Sequence, residues 1–331
     1  MKLAIKENLP YDVTGIGSAL LDITVSVDYA LLDKLGFQKG SMHLIDEKRS
    51  KAVLKMLDGL DLVFSPGGSA ANAIAGVSSL GGRALFLGAV GNDDYGRTYI
   101  SETEKTGVKT HIGVYDGLSG HAITFITPDG ERTFATHLGA ALKFSEDNIV
   151  EQDIASSKVL HIEAYLLEID ELYKTCLRTI KFAKANGVLV SIDLSDSFLV
   201  ERIRDRMRQT VEEYADIIFA NEDEAFSFTG KREAAALEEL ARLCHFAVIK
   251  LGERGSLIKT DDRIYEISGV KTNTVNTNGA GDIYAAGIIY GLTHGLDAQK
   301  SGDIASAAAS LIVGSEKARL DKKINALSLI G

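Results

Sequence analysis

Short runs rich in β-branched and other apolar residues recur along this chain, at Tyr11–Gly17, Arg83–Val90, Val159–Ile162, Val188–Asp193, Ile217–Ala220 and Phe246–Leu251, with helix-length segments between them. A strand that is apolar along its length, rather than alternating, must be covered on both faces, and intervening helices supply that cover. Leu172–Asn186 shows the pattern. Leu172, Cys176, Ile180 and Ala183 fall on one helical face, and Gly187 ends the helix before the next apolar run. The expected fold is therefore α/β: an α/β/α three-layer core around a mostly parallel central sheet. With 331 residues, 45% hydrophobic and 25% charged, the chain has enough apolar surface for such a core.

Two stretches break the alternation, about 22–46 and 111–137. The second carries a Pro128-Asp129-Gly130-Glu131 turn between strand-like Ala122–Thr127 and Thr133–His137. Both read as hairpins that pair into a small β-sheet lid. No repeat, Pro-rich linker or charge block separates two units, so residues 1–331 are expected to form a single unit with the lid segments inserted into the core. The cleft between sheet edge and lid is the expected ligand site.

A formal net charge of −10 gives no general attraction for nucleic-acid backbones or anionic membranes, so a bound phosphate needs a local device. Cys176 and Cys244 form no metal or disulfide pattern and read as packing residues in a reducing compartment. Charge interrupts the N-terminal segment Met1–Asn8 and every later apolar stretch of about 18 residues, so a soluble cytoplasmic protein without membrane partners is expected.

Three glycine-containing segments carry the chemistry. Gly15-Ile16-Gly17-Ser18-Ala19-Leu20 starts like a dinucleotide fingerprint, but Leu20 fills the third glycine position. It reads either as a turn ending a strand or as a substrate-facing turn leading to Asp22. Pro66-Gly67-Gly68-Ser69-Ala70-Ala71-Asn72 runs into a small-residue helix, Ala73–Leu80, where peptide N–H groups and the Asn72 amide could face a polyhydroxylated ligand. The strongest signal is Asn276-Thr277-Asn278-Gly279-Ala280-Gly281-Asp282 ahead of the helix-like Ile283–Leu292. Glycines there let N–H groups converge at a helix N-terminus on a developing phosphate anion. Asp282 either caps that helix or accepts a hydroxyl proton as phosphoryl transfer begins.

This last motif resembles the C-terminal signature of the ribokinase-like (PfkB-type) sugar and nucleoside kinases, close to D-T-x-G-A-G-D. The rest of that family's set follows in order. Gly67-Gly68-Ser69 with Asn72, then Gly88–Gly96, resemble the N-terminal signature; Asn221-Glu222-Asp223-Glu224 resembles N-x-x-E; Lys250-Leu251-Gly252-Glu253-Arg254-Gly255 resembles the ATP-site turn. The likeness runs from about Gly15 to about Gly314. Within the family it is nearest to adenosine kinases, through Leu20-Leu21-Asp22-Ile23, Thr136–Ala141, Leu194–Phe198 and Asn278.

The resemblance implies an ATP- and Mg²⁺-dependent kinase that phosphorylates a hydroxymethyl group, the 5′-hydroxyl of adenosine first and a free sugar such as ribose or fructose second. Asp22, Gly68 and Asn72 would hold ribose hydroxyls, Asp282 would take the 5′-hydroxyl proton, and Gly279, Ala280 and Gly281 would form the anion hole. Glu224 with Asn221 would organise Mg²⁺ through water, Lys250, Gly252 and Gly255 would border the ATP, and Arg132 would swing over the phosphates as the lid closes. The nucleobase would lie among Leu20, Leu44, Leu138, Tyr165 and Phe198, which offer flat or apolar faces. Asn276 replaces an Asp that helps form a monovalent-cation site in many members, so the resemblance does not carry K⁺ dependence onto this chain. Ser18 and Leu166 also depart from the adenosine-kinase pattern. Monomers and lid-mediated homodimers both occur among relatives.

Other chemistries lack their parts. His161-Ile162-Glu163 has no P-C-x-x-C partner for a zinc deaminase, the remaining histidines lack metal spacing, and no P-loop or G-x-S-x-G elbow is present. A dinucleotide oxidoreductase would leave Gly279–Asp282 unexplained, and a non-catalytic nucleoside-binding protein would leave Asp282 and Arg132 without a task.

Overall fold

Among the described residues the strands divide into a nine-stranded sheet and a five-stranded sheet, and the division decides where the site lies. The computed structural model describes residues 3–320 and 322–331. From the N-terminus the chain runs β1 (Tyr11–Ile16), β2 (Leu21–Ser26), α1 (Tyr29–Leu35), β3 (Met42–Leu44), α2 (Glu47–Met56), β4 (Val63–Pro66), α3 (Ser69–Ser79), β5 (Ala84–Gly91) and α4 (Asp94–Lys105). It continues through β6 (Lys109–Tyr115), β7 (His121–Ile126), β8 (Arg132–His137), α5 (Glu151–Ala155), β9 (Ser157–Glu163), α6 (Asp170–Ala185), β10 (Leu189–Asp193), α7 (Ser197–Arg202) and α8 (Arg204–Tyr214). The last third holds β11 (Ile217–Asn221), α9 (Glu222–Thr229), α10 (Glu233–Leu240), β12 (Phe246–Lys250), β13 (Gly255–Thr260), β14 (Arg263–Ser268), α11 (Ala280–Thr293) and α12 (Ala298–Val313).

The large sheet has the order β14-β13-β12-β11-β10-β9-β1-β5-β6. From β12 to β6 every pair is parallel; only β13 and β14, which follow tight turns, are antiparallel. All eight residues of β5 are buried, as its continuous apolar run requires. One face of the sheet packs Ile162, Ile192, Ile218 and Ile249 against α6–α10, where Cys176, Ile180, Met207 and Leu237 complete the layer. The other packs Val13, Phe86, Val159 and Phe219 against Ile74 of α3 and Ile288 of α11. Asp or Asn side chains cap α1, α2, α4, α7, α9 and α12 by accepting a backbone N–H of the first turn.

The small sheet has the order β3-β8-β7-β2-β4. Residues 22–46 are not a hairpin, since α1 intervenes and β2 and β3 do not pair, whereas the second expected hairpin forms, as antiparallel β7 and β8. Its neighbours differ from expectation. His111–Tyr115 lies in β6, paired with β5 at the edge of the large sheet, whereas Val63–Pro66 joins the small sheet against β2. The segment after α2 must return to α3, and the free edge of β2 lies on that path. Ile23, Val25, Ile123, Phe125 and Ala135 turn to one face of the small sheet, where Leu32, Leu35 and Val53 from α1 and α2 bury them. Register sets the opposite face: Leu44 pairs with Thr136, Thr136 with Ala122, and Ala122 with Asp22. Because cross-strand partners share a face, Asp22 and Leu44 both turn away from α1 and α2.

In the large sheet the chain order runs one way from β1 to β5 and β6, and the other way from β9 outward. The crevice beyond the C-terminal ends of β1 and β9 is therefore a topological switch point, where open α/β sheets bind ligands. Among the described residues no helix is long and apolar enough to cross a membrane.

Candidate active site

Charged and polar residues close the buried strands at this crevice: Glu163 ends β9, Asp193 ends β10, Asn221 ends β11 and Lys250 ends β12. Glu163 is buried, and its carboxylate accepts the Ser18 N–H at 2.8 Å and the Ala70 N–H at 2.9 Å. It thereby ties the Gly15–Leu20 turn to the start of α3. That segment is a turn leading from β1 toward Asp22, and the pair His161 and Glu163 is part of a strand.

Asp282 does not cap α11. The cap is Gly279, at φ +77°, and a Cβ there would stand 2.5 Å from the Ala318 carbonyl oxygen, so this turn needs glycine. Asp282 sits inside the first turn and accepts from Ser69 Oγ at 2.7 Å and from Asn72 Nδ2 at 2.9 Å. Burial pushes its pKa up to about 6, against those two hydrogen bonds. The N–H groups of Gly281 and Asp282 lie in the same turn, where a helix has no acceptor to offer them. The Asn72 amide is committed at both ends, because its Oδ1 accepts from Arg319 Nε at 2.8 Å.

Asp22 stands across from this turn. Burial raises its pKa to about 7, with Arg319 opposing and Asp282 adding, and among the described residues no donor is hydrogen-bonded to its carboxylate. A Cβ on Gly67 would lie 2.5 Å from that carboxyl, and Gly68, at φ +91°, would place one 2.2 Å from the Ser18 carbonyl oxygen. The Gly67-Gly68 bend thus lets α3 start directly beside Asp22.

Lys250 does more than border a turn. Its ammonium binds Asp193 at 2.9 Å, and a Cβ on Gly281 would lie 3.2 Å from it. Burial alone would lower its pKa, but Asp193 and Glu224 outweigh burial and keep it charged. Glu224 and Asn221 form a reciprocal cap: Glu224 accepts from the Asn221 N–H at 2.8 Å and from its Nδ2 at 2.6 Å, while Asn221 Oδ1 accepts the Glu224 N–H. Burial raises Glu224 to about 7, Lys250 opposing and Asp193 adding. Gly252 and Gly255 flank the turn after β12, both at positive φ. Among the described residues no cluster of three His, Cys, Asp or Glu side chains forms a metal cage. The donor set around Glu224 instead suits a hydrated Mg²⁺ carried on nucleotide phosphates.

Arg132, at the start of β8, reaches from the small sheet to Asn276 Oδ1. Asn276 also accepts the Asn278 N–H at 2.8 Å and donates Nδ2 to the Glu316 carbonyl at 3.0 Å. The expected apolar wall is open: Phe198 is 69% exposed, Leu44 61% and Tyr165 38%, while Leu20 and Leu138 are partly buried around Gly120. Sequence reading missed Ser69, Glu163, Asp193 and Arg319 as site residues. Glu163 and Asp193 carried a usable signal, an acidic residue ending an otherwise apolar parallel strand. Arg319, 247 positions from Asn72, carried none.

Three known proteins frame this geometry. The crystal structure of adenosine kinase from Sinorhizobium meliloti superimposes with a TM-score of 0.88 at 32% identity, covering 96% of this chain and 98% of that one. The "Probable fructokinase-7" of Arabidopsis thaliana is 30% identical over 244 residues, 70% of this chain and 71% of its own length. The adenosine kinase of Saccharomyces cerevisiae is 26% identical over 320 residues, 90% of this chain and 93% of its own. The fold is ribokinase-like, a large mostly parallel sheet with a smaller second sheet. Residues 41–325 match the pfkB carbohydrate kinase family, and the chain belongs to that family as an ATP-dependent kinase.

Proposed function

We propose that this kinase transfers the γ-phosphoryl group of ATP to the 5′-hydroxyl of adenosine, giving AMP. The observation that carries the reading is the placement of Asp282 in the first turn of α11, where it accepts from Ser69 and Asn72 and its charge acts on Asp22. The acceptor's ribose hydroxyls donate to Asp22, which has no donor of its own among the described residues. The 5′-oxygen gives its proton to Asp282 as it forms the bond to the γ-phosphorus, and the bond to the bridging oxygen breaks to release ADP. N–H groups of Gly279–Asp282 and the Lys250 ammonium stabilise charge on the transferring group. Arg132 supplies a further cation from the small sheet, which acts as a lid and excludes water. Glu224 would hold the waters of a nucleotide-borne Mg²⁺, which would supply neutralisation of phosphate charge. Asn276 donates an amide N–H to the Glu316 carbonyl, which weighs against a K⁺ site there.

The exposure of Phe198, Leu44 and Tyr165 supports the nucleobase reading, since exposed apolar area is area a flat ring can cover. A second reading, a sugar kinase, is favoured by Thr24, Thr124 and Thr136, which share the Asp22 face of the small sheet. ADP production from MgATP with adenosine, inosine, guanosine, cytidine, ribose and fructose as separate acceptors, with and without K⁺, tests both. Turnover with adenosine alone supports the first reading, and turnover with a free sugar replaces it by the second.

A further inference from the structure

Arg319 lies just beyond α12 and is 8% exposed, yet among the described residues no carboxylate is within ion-pair distance of it. Its guanidinium donates only to neutral groups: Nε to Asn72 Oδ1 at 2.8 Å, Nη2 to the Gly67 carbonyl at 3.0 Å and Nη1 to Thr103 Oγ1 at 3.3 Å, with the Tyr99 ring 6.0 Å from its centre. A buried guanidinium without a paired anion is costly unless its charge serves nearby carboxylates. Two lie one group away: Asp282 beyond the Asn72 amide, and Asp22 against Gly67.

We infer that Arg319 is a positioning residue for phosphoryl transfer, whose guanidinium fixes the Asn72 amide so that Asp282 meets the acceptor hydroxyl as a carboxylate held by two donors. Arginine has donors and no acceptor, so the Asn72 atom facing it must be the oxygen. The amide nitrogen is then committed to Asp282. Without Arg319 the amide is free to turn and place its oxygen against the carboxylate. The same segment braces the anion-binding turn, since the Glu316 carbonyl accepts from Asn276 and Ala318 packs on Gly279. Groups acting on Asp282 are Ser69 and Asn72 from α3, Asp193 from β10 and Lys250 from β12, and its own charge acts on Asp22 of β2 and Glu163 of β9.

The inference rests on the reading of Asp282 as proton acceptor, and the experiment separates the two. Arg319→Met and Arg319→Lys are compared with wild type for kcat, acceptor KM and the pH dependence of kcat/KM, alone and combined with Asn72→Ala. Arg319→Met is expected to lower kcat about 10- to 100-fold, the scale of a misplaced catalytic group. Its acid limb should move to higher pH, Arg319→Lys should recover only part of the loss, and Arg319→Met in the Asn72→Ala background should cost less than about 3-fold more, as for residues acting as one unit. Fully multiplicative losses, or an unmoved acid limb, would overturn the role. Titration of a ¹³C-labelled Asp282 carboxyl in Arg319→Lys needs no turnover and keeps the charge. A raised midpoint supports the inference and an unchanged one refutes it. Retained turnover in Asp282→Asn would remove the acceptor assignment and this inference with it, whereas loss there alongside wild-type behaviour of Arg319→Met would remove Arg319 alone.

Discussion

Replacing Asp282 by Asn should make the protein slower and more stable at once. The carboxyl titrates at about 6 in the fold against 3.8 in the unfolded chain, which corresponds to about 3 kcal/mol. Because the folded value is the higher one, the native state holds more protons between those two pH values, and stability contributed by this group falls as pH rises through that window. Above about pH 7 the cost of a partly buried charge is present, and below about pH 4 it is gone. Asn fits the same space: its oxygen can accept from Asn72 Nδ2, and its amide can donate to Ser69 Oγ. Asp282→Asn should therefore gain about 2–3 kcal/mol in urea unfolding at pH 8, with the gain shrinking steadily to near zero by pH 4. Turnover should fall about 10²- to 10⁴-fold, the range for losing a general base. A stability difference flat from pH 4 to 8, or a variant less stable than wild type at pH 8, would refute the account of Asp282 as a strained, functional charge.

Asp22→Asn should raise acceptor KM at least about 10-fold with little change in the KM for ATP, and wild-type acceptor KM should fall as pH rises through about 7, where Asp22 ionises. Unchanged acceptor KM in initial-rate kinetics would take Asp22 out of the site. Gly68→Ala should destabilise by about 2–4 kcal/mol, because its φ of +91° and the Ser18 carbonyl 2.2 Å from the new methyl both oppose it; chemical denaturation measures this. Phe198→Ala should raise the KM for adenosine about 10-fold and leave any ribose turnover alone, as loss of one apolar face predicts. Equal effects on both acceptors would separate Phe198 from the base.

Six strands of the large sheet, β1, β5 and β9 to β12, were legible because they are buried and carry unbroken apolar runs, whereas the more exposed β6, β13 and β14 were not. Val188–Asp193 and Phe246–Leu251 need no partner to declare themselves. Membership of the small sheet was harder, since edge strands are short and half exposed. Val63–Pro66 has only Pro66 buried, and its place is fixed by pairing with β2, some forty positions earlier, rather than by local pattern. The glycine motif located the helix N-terminus but not what faces Asp282. Capping and proton acceptance ask for the same residue type, and only the distances from Ser69 and Asn72 separate them from a cap made by Gly279. Arg319 was invisible for a further reason: its partners are a backbone carbonyl, a hydroxyl and an amide, none of which leaves a charge pattern in the sequence.

The chain crosses between the two sheets near Gly17–Leu20, Gly67, Gly120 and Leu138–Gly139, and these crossings lie against one another: a Cβ on Gly120 would stand 2.6 Å from the Leu138 carbonyl, and one on Gly139 2.5 Å from that of Leu118. They form a narrow waist, and distance from it works as a lever. Asp22 is the second residue of its strand beyond the waist, whereas Arg132 is five residues out along β8 from His137, roughly 17 Å at the usual rise of an extended chain. A rotation of about 10° at the waist would carry Arg132 through about 3 Å and Asp22 through about 1 Å or less at that rise per residue. The gripping end of the small sheet can travel while the acceptor's seat stays at the pivot.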